Sequence, residues 1–243
     1  MRVVWGFEDV PQLRYGVATV GSYDGVHNGH RILLDEVMHR AHEQGGESVV
    51  ITFEPHPRIT LGDAETLRLL SLFEEKRTLL EWVGIDYMVV IPFDRAFSQL
   101  SHEEFVNEYL VSRLHIKELI VGYNHRFGHN NKGDYEYLSQ HDTLRVVEIP
   151  QYRLEGAKVS STVIRNMLHQ GDTANATQLL GHPYIIIGIA DEKGRIEVEP
   201  YKLLPADGQY RALIEGKESM IEVRGGVILQ KEKFLQKVKI ELL

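Results

Sequence analysis

The 243-residue chain has no cysteine, which excludes disulfides, thiol nucleophiles and cysteine-ligated metals. It has no apolar run long enough to cross a bilayer. Its first nine residues, M-R-V-V-W-G-F-E-D, lack the apolar core of a secretory signal. The cytoplasm is the expected location. Positive charge is scarce: 27 Lys and Arg stand against 35 Asp and Glu, a formal net charge of -8. That balance does not suit a surface that coats nucleic acid, so the expected partners are small molecules, with neither nucleic acid nor membrane. An acidic chain that handles anionic ligands must gather its cations locally, which makes basic residues in loops informative.

What is present alternates. Short apolar or β-branched runs at residues 17–20, 48–53, 87–91, 118–122 and 144–149 read as strands. The run 48–53 (S-V-V-I-T-F) is apolar enough to be buried on both faces, as in a parallel sheet. Helical spacing follows residue 31, and S-x-x-E capping boxes at Ser71–Glu74 and Ser101–Glu104 open two further helices. Further helices are expected at 134–140, at 160–169 behind a Ser-Ser-Thr cap, and at 174–180. This strand–helix alternation predicts a Rossmann-like α/β domain with a parallel sheet over residues 1–181. From residue 182 the texture changes. Five β-like runs (184–189, 195–198, 210–214, 220–223 and 238–242) separated by turn residues predict a small β-rich second domain, 182–243.

The most informative stretch is residues 21–31, G-S-Y-D-G-V-H-N-G-H-R, between the first strand and an amphipathic helix. Gly21, Gly25 and Gly29 permit a tight turn and close approach to a ligand. The helix start offers unpaired N–H groups and partial positive charge, a seat for phosphate. His27 and His30, expected on an exposed loop–helix junction, can hydrogen-bond phosphoryl oxygens as charge develops there. The pair is not the metalloprotease H-E-x-x-H, since the glutamate and the spacing are both missing. Three further strings stand out: T-F-E-P-H-P-R at 52–58, V-G-Y-N-H-R-F-G at 121–128 with Gly133-Asp134 following, and V-S-S-T-V-I-R at 159–165. In an open parallel sheet, ligands bind beyond the carboxyl ends of strands. The first turn, the proline-rich loop and the loop after Gly122 all leave such ends.

Together these four strings resemble the nucleotidylyltransferase superfamily, and within it the FAD synthetase half of the bifunctional riboflavin kinase/FAD synthetases. The resemblance covers about residues 15–180. It implies transfer of AMP from Mg2+-complexed ATP to FMN, with pyrophosphate released and no covalent intermediate. It assigns Gly21, Ser22, Tyr23, Asp24, His27, Gly29, His30, Ser160, Ser161, Thr162 and Arg165 to ATP. It assigns Phe53, Pro55, His56, Pro57, Arg58, Asn124, Arg126 and Phe127 to the flavin. His27, His30, His56, Asn124 and Arg165 would serve catalysis, and the metal would be held mainly by phosphates. Ser22, Tyr23 and His125 depart from the family's usual residues. They leave open another phosphorylated acceptor, and a non-catalytic flavin or nucleotide binder is a further alternative.

The second domain resembles the riboflavin kinase of the same family. Gly181-His182-Pro183-Tyr184 matches its opening G-R-P-Y, but its G-R-x-L-G-F-P-T-A-N motif survives only as G-R-I-E-V-E-P-Y-K-L (194–203). Val198, Tyr201 and Leu203 replace glycine, threonine and asparagine, and Glu199 adds negative charge. A shortened, degenerate and non-catalytic kinase-type barrel is therefore expected.

Overall fold

The computed structural model describes residues 1–63, 67–154, 156–231 and 236–243. Contacts divide the chain into two compact units. The first comprises Met1–Tyr23, His30–Leu67 and Leu79–Tyr152. The second comprises Asp24–Gly29, Arg68–Thr78 and Arg153–Leu243. Among the described residues no helix is long and apolar enough to cross a membrane.

The first unit contains six parallel strands: β1 (Arg2–Trp5), β2 (Gly16–Val20), β3 (Glu47–Glu54), β4 (Tyr87–Pro92), β5 (Ile116–Gly122) and β6 (Arg145–Ile149). Their spatial order is β1-β4-β3-β2-β5-β6. Side chains alternate across the sheet. Val17 and Ile120 join Val37 and Ala41 of helix α1 (Asn28–Glu43) on one face. Ala18, Val20, Ile51, Val89, Leu119 and Val121 join Phe105, Leu110 and Leu138 on the other. Burial on both faces is why these strands read as continuous apolar runs.

The edge strand β1, absent from the sequence reading, pairs with β4 from Arg2↔Tyr87 to Trp5↔Val90. Only Val4 of its four residues is buried, so it carries little hydrophobic signal. Helix α2 (Phe73–Val83) starts one residue later than its expected capping box. Glu75, not Glu74, reaches back to accept from the Leu72 N–H, at 2.7 Å. The Ser71 hydroxyl is engaged elsewhere, accepting from the Gly25 N–H at 2.8 Å. The second capping box forms as expected, with Ser101 and Glu104 bonded reciprocally at helix α3 (His102–Glu104). The chain then continues as a π-helical segment, Phe105–Arg113, closed by Leu114 N–H to Tyr109 O at 3.0 Å. Beyond the proline-rich loop comes a short π-helical stretch, Ile59–Asp63, interrupted by Gly62 at φ 114. Helix α4 (Tyr135–Ser139) is capped by Asp134.

The second unit includes a two-stranded hairpin, β7 (Arg153–Leu154) with β8 (Ala157–Lys158), and helices α5 (Ser161–His169) and α6 (Thr173–Leu180). It also contains an antiparallel barrel of β9 (Tyr184–Ala190), β10 (Arg195–Glu197), β11 (Gly208–Ile214), β12 (Lys217–Arg224), β13 (Val227–Leu229) and β14 (Lys237–Leu242). The barrel closes in the order β10-β13-β12-β11-β14-β9. Closure removes free edges, and alternate residues such as Ile221, Val223, Val238, Ile240 and Leu242 are buried. The β13 strand was not read from sequence, since three residues after a Gly225-Gly226 turn leave too short a pattern.

Candidate functional site

In the first unit the chain progresses from β2 through β3 to β4 on one side, then crosses to β5 and β6 on the other. The topological switch point therefore lies between β2 and β5, where open α/β sheets place their ligands. A pocket of about 580 Å3 opens there. It is lined by Val20, Gly21 and Ser22 at the end of β2, Phe53 and Pro57 at the end of β3, Phe93 and Phe97 to Leu100 after β4, and His125 to Asn131 after β5. Its walls are an aromatic lattice. Phe53 packs edge-on against Phe93 at 5.5 Å between ring centroids, and Phe97 lies 5.7 Å from Phe93 and 6.0 Å from Phe105. Phe127 lies 6.0 Å from Phe105 and stacks with His125 at 5.4 Å. Rings preassembled in this way offer a flat apolar ligand a site whose ordering cost is already met.

Of the flavin residues expected from sequence, Phe53, Pro57, Arg126 and Phe127 line this pocket, with Gly21 and Ser22 from the ATP set. Pro55, His56, Arg58 and Asn124 do not. His56 is buried, and its Nδ1 accepts from the Arg58 N–H at 3.2 Å. Arg126 pairs with Asp134 at 2.6 Å. Phe127 and Gly133 exchange backbone hydrogen bonds of 3.1 and 3.0 Å. A Cβ on Gly133 would come within 2.6 Å of the Phe127 ring, so glycine is required there. Burial pushes the His125 pKa down to about 4, leaving a neutral ring against Phe127. Phe93, Phe97 and Phe105 were missed as pocket residues. The available signal was that β4 also ends at this rim, so the loop after it belongs with the other three. Also in this unit, Tyr23 is buried with its hydroxyl 2.6 Å from that of Thr19. Its ring meets half-buried His30 edge-on at 5.0 Å.

The second unit holds the rest of the glycine-containing turn. Val26 at φ 40 sits in the left-handed region, as does Tyr23 (φ 49) just before the turn in the first unit. Neither residue type favours that conformation, and such strain concentrates at functional sites. Gly25 (φ 83) could not carry a side chain, because a Cβ would approach Leu70 to 2.8 Å. His27 is 6% exposed, which corrects the expectation of an exposed junction. The turn folds its imidazole inward, and burial lowers its pKa to about 4, assisted by His182 and Arg165. His27 is thus neutral near pH 7. Gly29 is the close neighbour this burial demands, since a Cβ there would crowd the His27 ring at 3.2 Å.

Asp24 organises the turn. Its carboxylate accepts from the Ser71 N–H at 3.0 Å and pairs with Arg165 Nη2 at 3.1 Å. Ser161 Oγ donates to its backbone carbonyl at 3.0 Å. Burial raises the Asp24 pKa, against the lowering effects of Ser71, Arg165 and Lys76. Ser160 caps α5, accepting from Val163 N–H at 3.4 Å, while Thr162 is exposed. The starts of α1 and α5 are therefore tied to one turn, and neither helix has an acidic residue in its first turn. Neither helix carries a first-turn carboxylate of its own to offset its positive end. The Arg165 Nε is buried with no hydrogen-bond partner among the described residues, so that guanidinium retains a donor. No group of three or more His, Asp or Glu among the described residues could hold a metal ion.

A six-stranded parallel sheet with a pocket at its topological switch point is the architecture of a ligand-binding α/β domain. The sequence profile of FAD synthetase matches residues 10–163, and the chain belongs to that family. The bifunctional riboflavin kinase/FMN adenylyltransferase of Listeria monocytogenes is 32% identical over 208 residues, covering 80% of this chain and 66% of that protein. The protein of the same description from Escherichia coli K12 is 34% identical over 204 residues, covering 80% and 65%. The match thus spans just under two thirds of these relatives' length. A putative bifunctional riboflavin kinase/FMN adenylyltransferase from Geobacillus thermodenitrificans is 34% identical over 167 residues, 69% of this chain and 90% of that one. A crystal structure described as a macrolide-efflux protein from Streptococcus pneumoniae superposes with a TM-score of 0.84 at 22% identity. It covers 99% of this chain and 88% of that one, a likeness of fold.

Proposed function

We propose that the protein is an FMN adenylyltransferase. An FMN phosphate oxygen attacks the α-phosphorus of Mg·ATP, the bond from that phosphorus to the bridging oxygen breaks, and pyrophosphate departs. Catalysis is positioning and charge stabilisation, with no protein nucleophile. The observation that carries this reading is that Asp24 ties the α5 N-terminus and Arg165 to the turn that carries His27 and opens α1. His27 and His30 hydrogen-bond the triphosphate oxygens. Ser160, Ser161 and Thr162 present the α5 start, and Arg165 neutralises the departing pyrophosphate. Gly21, Ser22, Tyr23 and Gly29 shape the turn, and Asp24 acts by holding it. Phe53, Pro57, Arg126 and Phe127 take the isoalloxazine, with Pro55, His56, Arg58 and Asn124 toward the flavin phosphate. Mg2+ enters as part of the substrate complex.

We further propose that residues 182–243 do not phosphorylate riboflavin. Leu203, where the kinase motif has asparagine, is buried apolar surface, and the neighbouring Lys202 is fully engaged internally. Work on small-molecule substrates in the cytoplasm, without nucleic acid or membrane, belongs to the same proposal. Incubation with Mg·ATP and FMN, followed by chromatography and the fall in flavin fluorescence, should show FAD. No FAD under any condition would overturn the assignment. His125 favours one variant of this reading, an acceptor ring other than unmodified FMN, because an imidazole gives a smaller apolar face than phenylalanine. Competition among phosphorylated flavins would reveal it.

A further inference from the structure

Lys202 and Glu75 form a charged pair whose side chains are 0% and 1% exposed. Burying an ion pair seldom stabilises a protein more than packed apolar residues would, so its partners matter more than its existence. All three ammonium protons are used: Nζ donates to Leu70 O at 2.6 Å, Ile185 O at 2.6 Å and Glu75 Oε2 at 2.9 Å. Glu75 in turn accepts from the N–H groups of Ile187 at 2.8 Å and Leu72 at 2.7 Å. Two backbone bonds, Leu69 N–H to Tyr201 O at 2.7 Å and Leu203 N–H to Leu69 O at 2.9 Å, lay the same segment along the barrel.

The other side of that segment faces the glycine-containing turn. The Ser71 N–H donates to Asp24 Oδ1 at 3.0 Å, and the Ser71 hydroxyl accepts from the Gly25 N–H at 2.8 Å. One peptide group, Leu70 C=O with Ser71 N–H, therefore has its oxygen on an ammonium and its hydrogen on a carboxylate. Each contact polarises the other. Charge alternates along the line, from Lys202 through the peptide dipole to Asp24 and on to Arg165.

We propose that Lys202 is a positioning residue for the nucleotide-binding turn: through the Leu70–Ser71 peptide it fixes Asp24, and through Asp24 the Arg165 guanidinium. The barrel then serves the adenylyl-transfer turn as a brace, whatever chemistry its relatives carry out. This rests on the reading of that turn as the ATP site, but the brace itself is a mechanical claim with its own readout.

The test uses the full chain carrying Lys202→Met together with Glu75→Gln, so that no lone buried charge remains. Hydrogen–deuterium exchange of backbone amides and separate calorimetric titrations with Mg·ATP and FMN are the measurements. Exchange should accelerate about tenfold at residues 24–27, the loss of roughly one net hydrogen bond. Strands of the sheet and of the barrel should exchange at the wild-type rate. Affinity for Mg·ATP should fall about tenfold with FMN affinity unchanged. Ser71→Ala, which removes the acceptor of the Gly25 N–H and leaves the ion pair in place, should give the same local acceleration and decides the matter if the double variant does not fold. Wild-type exchange across residues 24–27 in either folded variant would overturn the brace. So would acceleration spread evenly over the barrel, which is what a merely structural ion pair predicts. If the wild-type chain binds no Mg·ATP, the function proposed above fails, while the exchange pattern still decides the brace.

Discussion

Acid should destabilise this protein through His27, and the size of the effect follows from its burial. The ring has an ordinary pKa of 6.5 and a folded-state pKa of about 4. The unfolded chain therefore takes up a proton as pH falls below about 6.5, whereas the folded chain resists until about 4. The unfolded state binds more protons across that window, so stability falls as pH falls. Above pH 6.5 both states carry neutral imidazole and the effect vanishes. Below pH 4 it is complete, and a gap of about 2.5 pH units corresponds to roughly 3 kcal/mol. At pH 5 about 2 kcal/mol of it should already be lost, a large share of the stability of most domains. Urea denaturation at pH 7, 6 and 5 on wild type and His27→Gln isolates the contribution, because the other eleven of the 12 histidines are common to both proteins. The wild type should lose about 2 kcal/mol more than the variant between pH 7 and pH 5, with equal denaturant slopes. Parallel curves would refute the argument, and would mean that the His27 ring is solvated in solution. An imidazole NMR titration gives the folded pKa directly.

Arg165→Ala should weaken Mg·ATP binding by roughly 1.5–3 kcal/mol, the worth of a charge-assisted hydrogen bond, and leave FMN binding unchanged in calorimetry; equal losses for both ligands would place Arg165 elsewhere. Phe97→Ala should cost about 3 kcal/mol of stability and weaken FMN binding, since its ring contacts Phe7, Phe53, Phe93, Phe105 and Tyr109. Thermal melts and FMN titration check both halves, and a loss confined to Mg·ATP would contradict the pocket assignment. With riboflavin in place of FMN, chromatography should show no FMN formed even at high protein concentration; steady protein-dependent FMN would mean that the barrel retains phosphoryl transfer.

The parallel sheet was legible because its signal is local. A strand buried on both faces must be apolar at nearly every position, and residues 48–53 announce this without reference to anything else. The edge strand β1 was not, since one buried valine in four residues has no period to detect. The aromatic pocket was half legible. Phe53 and Phe127 sit in recognisable strings, whereas Phe93, Phe97 and Phe105 become pocket residues only once β4 is known to lie beside β3.

The turn itself shows where local rules stop. Ser71 and Glu74 satisfy the capping-box pattern, and a short-range reading must assign them to it. The structure breaks that assignment because the Gly25 N–H, 46 positions earlier, claims the Ser71 hydroxyl. The helix shifts its cap by one residue, and Glu75 takes up both the Leu72 N–H and the Lys202 ammonium. His27 behaves in the same way: its position in the motif suggests an exposed ligand, but the left-handed backbone at Val26 turns it inward. Each of these misplaced residues is one whose hydrogen bonds or packing close over a long sequence separation, and Ser71 and His27 lie against or within the glycine-containing turn. Such a site must hold its donors at fixed positions in the absence of ligand. Contacts drawn from distant parts of the chain achieve that rigidity, and for the same reason they are invisible in any short stretch of it.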